Sequence, residues 1–243
     1  MKCMDRKKLI SYAFCFRGEY DKIIKAINAD LDVPEIIIDN AITIFDDVYP
    51  KELLNHKYPP FVLFYKGNLD LLKEKKVGIV GSRKPCEYAL KATRLLSQNN
   101  NDSVIVSGLA KGIDACAHEY ANKTIGVLGC GIDYIYPMCN YNLIKRIEKE
   151  GLILSEYPGL SKPLAYHFPF RNRIIACLSK KIYVMQSSSK SGTMTTINEA
   201  LELGREVKVL PYDVFNESGM NNNNLIYEGA TPITNIDLKC ESK

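Results

Sequence analysis

VGIVGSRKPCEYALKATRLLSQNNNDSVIVSGLAKGIDACAHEYANKTIGVLG, the stretch from Val77 to Gly129, sets the fold class. One unit recurs along it: a short apolar run rich in β-branched residues, a turn of small residues, and a segment with helical spacing. VGIVG (Val77–Gly81) leads through SRKP into YALKATRLLSQN. VIVSG (Val104–Gly108) leads through LAKG into IDACAHEYAN, and TIGVLG (Thr124–Gly129) opens a third unit. Short strands alternating with helices of about ten residues or more imply βαβ units and a mostly parallel sheet. The spacing therefore predicts a doubly wound α/β fold.

The pattern continues downstream. NYNLIKRIEKEG has helical spacing and stops at Gly151, a residue suited to a helix C-cap. LILSEY, KIYVMQ and EVKVLP read as further strands, with RNRIIACLSK and MTTINEALELG as helices between them. The tail NNNNLIYEGATPITNIDLKCESK reads as a short helix and an edge strand, with no further domain expected after it. Upstream the chain is less regular. YDKIIKAI and PEIIIDNAITIF read as small helices, making residues 1–43 a small helical N-terminal segment ahead of a second unit at 44–243. Between Val48 and Leu72 the proline-rich YPKELLNHKYPP precedes FVLFYKGNLDLL, a strand-like segment with a turn.

The 243 residues carry a net charge of +4 and are 46% hydrophobic, ample for a buried core. That charge permits a polyanionic partner without requiring one. Its distribution is more telling: Arg171, Arg173, Lys180, Lys181 and Lys190 follow one another with no acidic residue among them. The eight cysteines form no CxxC pair and no Cys/His spacing suited to zinc, so no metal is expected. The N-terminus turns polar at Arg17 before a signal-peptide core develops, and no apolar run approaches the ~20 residues of a membrane span. A cytoplasmic protein with reduced thiols and no membrane contact is expected.

In doubly wound sheets, ligands bind outside the carboxyl ends of the strands, where loops and helix N-termini converge. The loops predicted there are Gly81-Ser82-Arg83, Ser107–Gly112, Gly129–Gly131, the crossover Ser155–Arg173, and Gln186–Thr193. Small residues let a backbone approach a phosphate closely, and Arg83, Lys111 and Lys190 each add a cation. The stretch Pro169–Thr196 sets Arg171-Asn172-Arg173 at a helix start and ends in a Ser/Lys/Gly loop, an arrangement suited to gripping anions. It holds no general base and no metal ligand.

Other polar residues there read more plainly. Gly129–Gly131 is a tight turn, Asp114 and Asp133 are caps or turn closers, and His118 packs or orients. His167 stands beside Phe168 and either touches a ligand or packs. Cys130 and Cys177 are small buried hydrophobes. VGIVGSRKP lacks the third glycine of a dinucleotide fingerprint, and there is no GxxxxGK[ST], so no cofactor is expected.

The motifs VGIVGSR, IVSGLAKGIDACAH, GVLGCGIDYIYPMCN, ILSEYP, FPFRNRIIACLS, SKSGTMTT and GREVKVLP, in this order, resemble the DNA-processing protein A family, also called Smf. The resemblance runs from about Tyr49 to Ala230. It implies an extended Rossmann-like domain that forms a homodimer, binds single-stranded DNA and loads the recombinase RecA during natural transformation. Position by position, it implies that Arg83 of Gly81-Ser82-Arg83 holds a backbone phosphate. Phe168 would stack a base while Arg171 and Arg173, flanking Asn172, grip phosphates. Lys190, Ser191, Gly192 and Thr193 would supply a further cation and backbone amides. This chain departs from the pattern at Ala165, where some members carry a basic residue; Lys162 stands nearby. Its N-terminal region reads as shorter than the family's helical domain, and no winged-helix-like C-terminal domain of the kind some members carry is expected.

Two rival readings concern other chemistry. Phosphoribohydrolases of the same Rossmann-like superfamily carry GGxGTxxE, and SKSGTMTT puts Thr196 where their glutamate stands. Glu199 follows nearly a helical turn later, too far for the same acid/base work, so no enzymatic activity is expected. The other rival is a module that senses a small nucleotide.

Overall fold

The computed structural model describes residues 4–236. Two helices come first, α1 (Arg6–Cys15) and α2 (Tyr20–Asn28), then two strands, β1 (Ala41–Thr43) and β2 (Val62–Gly67). The repeating units follow as β3 (Lys76–Gly81), α3 (Glu87–Asn99), β4 (Val104–Ser107), α4 (Ile113–Tyr120), β5 (Thr124–Leu128), α5 (Tyr141–Glu150) and β6 (Leu152–Ser155). The second half runs α6 (His167–Leu178), β7 (Lys181–Gln186), α7 (Gly192–Glu202), β8 (Glu206–Val209), α8 (Met220–Tyr227) and β9 (Thr231–Pro232).

The nine strands among the described residues join one sheet in the order β1-β2-β6-β5-β4-β3-β7-β8-β9. From β6 to β9 every neighbouring pair is parallel, while β1 and β2 add an antiparallel edge. The mostly parallel, doubly wound architecture is as the spacing predicts. The chain winds outward from β3 to β6, then α6 carries it back across the sheet to β7 on the other side of β3. Strand order reverses there, and the loops after β3 and β7 flank the crevice that such a reversal opens.

Alternation along the strands divides the core between two faces. Val77, Ile79 and Ile105 meet α3 and α4 through Ala89, Ala92, Ile113 and Ala117. Val80, Val104, Val106 and Val184 meet α6 and α7 through Ile174, Ile175, Ile197 and Ala200. Gly151 ends α5 as expected, its N–H donating to Ile147 O at 2.9 Å. Glycine is required there by space, since a Cβ would stand 2.7 Å from Thr124 O.

One prediction fails in the N-terminal segment. PEIIIDNAITIF forms no helix; its AIT is β1, paired antiparallel with β2 from Ala41↔Phe64 to Thr43↔Val62. The β-branched isoleucines lose side-chain freedom in a helix and favour the open edge that β2 offers. Leu9, Ile10, Ile23 and Ala26 of α1 and α2 then cover Val62 and Phe64 of that edge.

Candidate nucleic-acid interface

The turn after β3 is pinned before it presents its arginine. Ser82 O accepts from Ile113 N at 3.1 Å, and Ser82 Oγ accepts from Lys84 N at 3.0 Å. Gly112 has a φ of 80° and a Cβ there would stand 2.4 Å from Ser82 O, so only glycine lets α4 start this close. The pinned turn leaves Arg83 exposed, its guanidinium carbon 5.6 Å from the Phe168 ring centroid. Phe168 lies against Gly129, where a Cβ would come 2.8 Å from the ring, and 5.5 Å from the ring of Tyr136. Arg83, Phe168 and Tyr136 thus edge one cleft of about 630 Å3.

The floor of the cleft is polar and buried. Arg171 donates from Nη1 to Gly108 O at 2.7 Å and to Val127 O, and from Nε to Asn172 Oδ1 at 3.1 Å. It therefore ties together the ends of β4 and β5, while Nη2 makes no hydrogen bond among the described residues. Burial pulls this guanidinium below its ordinary range and the charge of Asp114 opposes that pull. Asp114, also on the floor, is held above the usual carboxylate range by burial, with Arg171 opposing. Asn172 Nδ2 donates to Gly192 O at 3.1 Å and fastens α6 to the start of α7. Gly192, Thr193 and Thr196 complete that wall, and Ser191 before them leaves the first turn of α7 without a side-chain cap. The helix start is thereby open to an anion.

Arg173 is placed otherwise than the resemblance implies. It is 1% exposed and does not line the cleft. Its Nη2 donates to both Glu156 oxygens at 2.7 and 2.8 Å, Nε donates to Tyr58 O and Nη1 to Phe170 O, each at 2.8 Å. Two residues along a helix turn a side chain to the opposite face. Arg171 therefore meets the cleft, and Arg173 meets the N-terminal side of the fold.

Lys111 and Lys190 are exposed and stand outside the main cleft. Lys111 lines a small annex of about 60 Å3 with Arg83 and Phe168, and Lys190 sits at the tip of the β7–α7 loop. Neither they nor Arg83 pair with a carboxylate among the described residues. Ala165, at the position where the resemblance implies a basic residue in some members, lines the cleft with Pro163, and Lys162 faces a separate cavity instead.

The histidines stay out of the cleft. His118 is buried with Nδ1 2.6 Å from Thr124 Oγ1. Burial holds it down to about 3, against a backbone contact to Ser107 and reinforced by Arg171, so it orients and packs as a neutral ring. His167 stacks on Tyr157 with centroids 3.9 Å apart. Asp133 pairs with Lys66 at 2.8 Å. Cys130 and Cys177 are each 1% exposed, and burial pushes their thiols up to about 11 and about 12. Sequence reasoning missed Tyr136; an aromatic just after a glycine-rich strand end was the available signal. Among the described residues no helix is long and apolar enough to cross a membrane, and no group of His, Cys, Asp or Glu could hold a metal ion.

The family model for DNA recombination-mediator protein A matches residues 40–242. The chain belongs to this family. Among relatives, DNA processing protein DprA of Streptococcus pneumoniae is 43% identical over 199 residues, 80% of this chain and 71% of that protein. The Bacillus subtilis protein of the same name is 42% identical, over 80% of this chain and 68% of its own length. Protein Smf of Escherichia coli is 38% identical, over 77% of this chain and 52% of its own.

Two solved structures of the family superpose on this fold. The Streptococcus pneumoniae structure gives a TM-score of 0.77 at 39% identity, covering 88% of this chain and 77% of that one. The Helicobacter pylori structure, which concerns that protein's single-stranded DNA binding mode, gives 0.75 at 37%, covering 81% and 92%.

Proposed function

We propose that this family member binds single-stranded DNA along the cleft, acts as a homodimer in the cytoplasm, and delivers the strand to RecA without cutting it. The observation that carries the reading is Arg83, a cation with no carboxylate partner among the described residues, beside the ring of Phe168 at the edge of a cleft floored by Arg171. A cation for phosphate beside an aromatic face for a base is what strand binding without sequence readout requires. The Helicobacter pylori relative supports the choice of ligand. The dimer is tested separately: light scattering that finds only monomer removes that part.

Gel shifts with single-stranded and duplex oligonucleotides, with and without RecA, test the whole reading. Preference for single strands and a supershifted RecA complex are expected. Arg83→Ala and Lys190→Ala should each weaken oligo-dT binding and lower the salt slope by about 0.7, the value of one phosphate contact on a single strand. Unchanged affinity and slope in both variants would remove the proposed groove. A mononucleotide that competes as well as an oligonucleotide would instead favour a nucleotide sensor.

Phosphoribohydrolase chemistry is argued against at the position of that family's glutamate. Thr196 holds the cleft position that a hydrolase would give to glutamate, and Glu199 is engaged by His56 Nε2 at 2.8 Å. Incubation with nucleoside monophosphates is expected to release no free base; release at enzymatic rates would install the phosphoribohydrolase reading.

A further inference from the structure

We propose that the single strand in the cleft continues over the β6–α6 crossover into a second cavity, where Arg17 and Lys162 hold its phosphates. The inference rests on the DNA-binding reading above and extends it. The second cavity, about 530 Å3, lies between the turn joining α1 to α2 and the crossover.

Successive crossover residues face opposite sides. Lys162 and Leu164 line the second cavity, while Pro163 and Ala165 line the first. The wall between the two is thus a single segment of chain, which a flexible strand can step over. The first cleft has no cation at Ala165, and the cation nearest in sequence, Lys162, is turned to the second cavity.

Arg17 stands across from it. Both side chains are exposed, and neither forms an ion pair among the described residues. Arg17 has a φ of 54°, a left-handed conformation that disfavours a side chain. A glycine would relieve that strain, yet the position carries a long cation at the cavity's edge.

His167 and Tyr166 fix the carboxylate that lines this cavity. His167 lines the cavity, is 2% exposed, and its Nε2 lies 3.2 Å from Glu19 Oε1. The hydroxyl of Tyr166 donates to the same Glu19 oxygen at 2.7 Å. A carboxylate only accepts, so Nε2 carries the hydrogen of this contact. Phe14, Leu160 and Leu164, all exposed, offer apolar surface to the base or sugar. Among the described residues Glu19 is the one carboxylate lining this cavity, and Tyr166 and His167 both engage it. Two cations against one carboxylate leave the cavity positive, as a phosphodiester needs.

The test compares oligo-dT of about 6 and about 20 nucleotides on the wild type and on the double variant Arg17→Gln/Lys162→Ala. The variant should bind the long strand about 5- to 20-fold more weakly, with a salt slope lower by about 1.4 for two lost contacts, and the short strand within about twofold of wild type. Equal losses at both lengths, or no loss on the long strand, overturn the inference while the first cleft stands. Failure of the wild type to bind either strand overturns the DNA reading and this inference together.

Discussion

Arg173→Ala lowers the stability of the folded protein by about 3–5 kcal/mol, the usual cost of removing one partner from a buried ion pair. The alanine would strand Glu156, itself 4% exposed, with no counter-charge. It would also free two carbonyl oxygens, those of Tyr58 and Phe170, that the guanidinium now satisfies. The guanidinium carbon lies 3.7 Å from the Phe170 ring centroid, so packing is lost as well. Urea unfolding of the two proteins measures the difference. The double variant Arg173→Met/Glu156→Met should recover much of the loss, because an apolar pair of similar volume carries no desolvation penalty. Equal stability of Arg173→Ala and wild type, with weakened DNA binding alone, would return Arg173 to the phosphate-gripping role that the resemblance implies.

Phe168→Ala weakens binding of oligo-dT by about 1–3 kcal/mol, the worth of one stacked base, or roughly 5- to 150-fold in Kd. The ring is half-buried against Gly129, with Tyr136 and the Arg83 guanidinium beside it. Its removal takes away a stacking surface and the body against which Arg83 rests. Fluorescence anisotropy at fixed salt gives the number, with the melting temperature as a control for folding. Phe168→Tyr should retain most of the affinity, since the ring face is kept. A loss in Phe168→Ala of only a few tenths of a kcal/mol would make it a core residue instead.

The two predictions concern residues five apart in one motif, and the sequence treats them alike. In FPFRNRIIACLS the aromatic and both arginines read as one grip. The helix separates them: Phe168 and Arg171 belong to the cleft, and Arg173 to an internal strut that Glu156, just past the end of β6, completes. No local pattern announces that partner, which is 17 residues earlier in the chain. Lys162 is a similar case. Its nearness to Ala165 in sequence suggests a substitute cation, but the side chain lies on the other side of the crossover wall.

What the sequence determines by itself is what short-range chemistry encodes. Apolar period, β-branched runs and small-residue turns place β3 to β8 and the helices between them, and the Gly81-Ser82-Arg83 turn falls at a strand end because the strand before it is legible. Only the tertiary structure decides the rest. It makes β1 a strand, because β2 offers an unpaired edge. It brings Tyr136 to Phe168, and it selects which arginine faces the cleft and which meets Glu156. The physical reason is common to all three: burial and pairing depend on residues far apart in the chain, so the charge and period of a segment fix its shape before they fix what it touches.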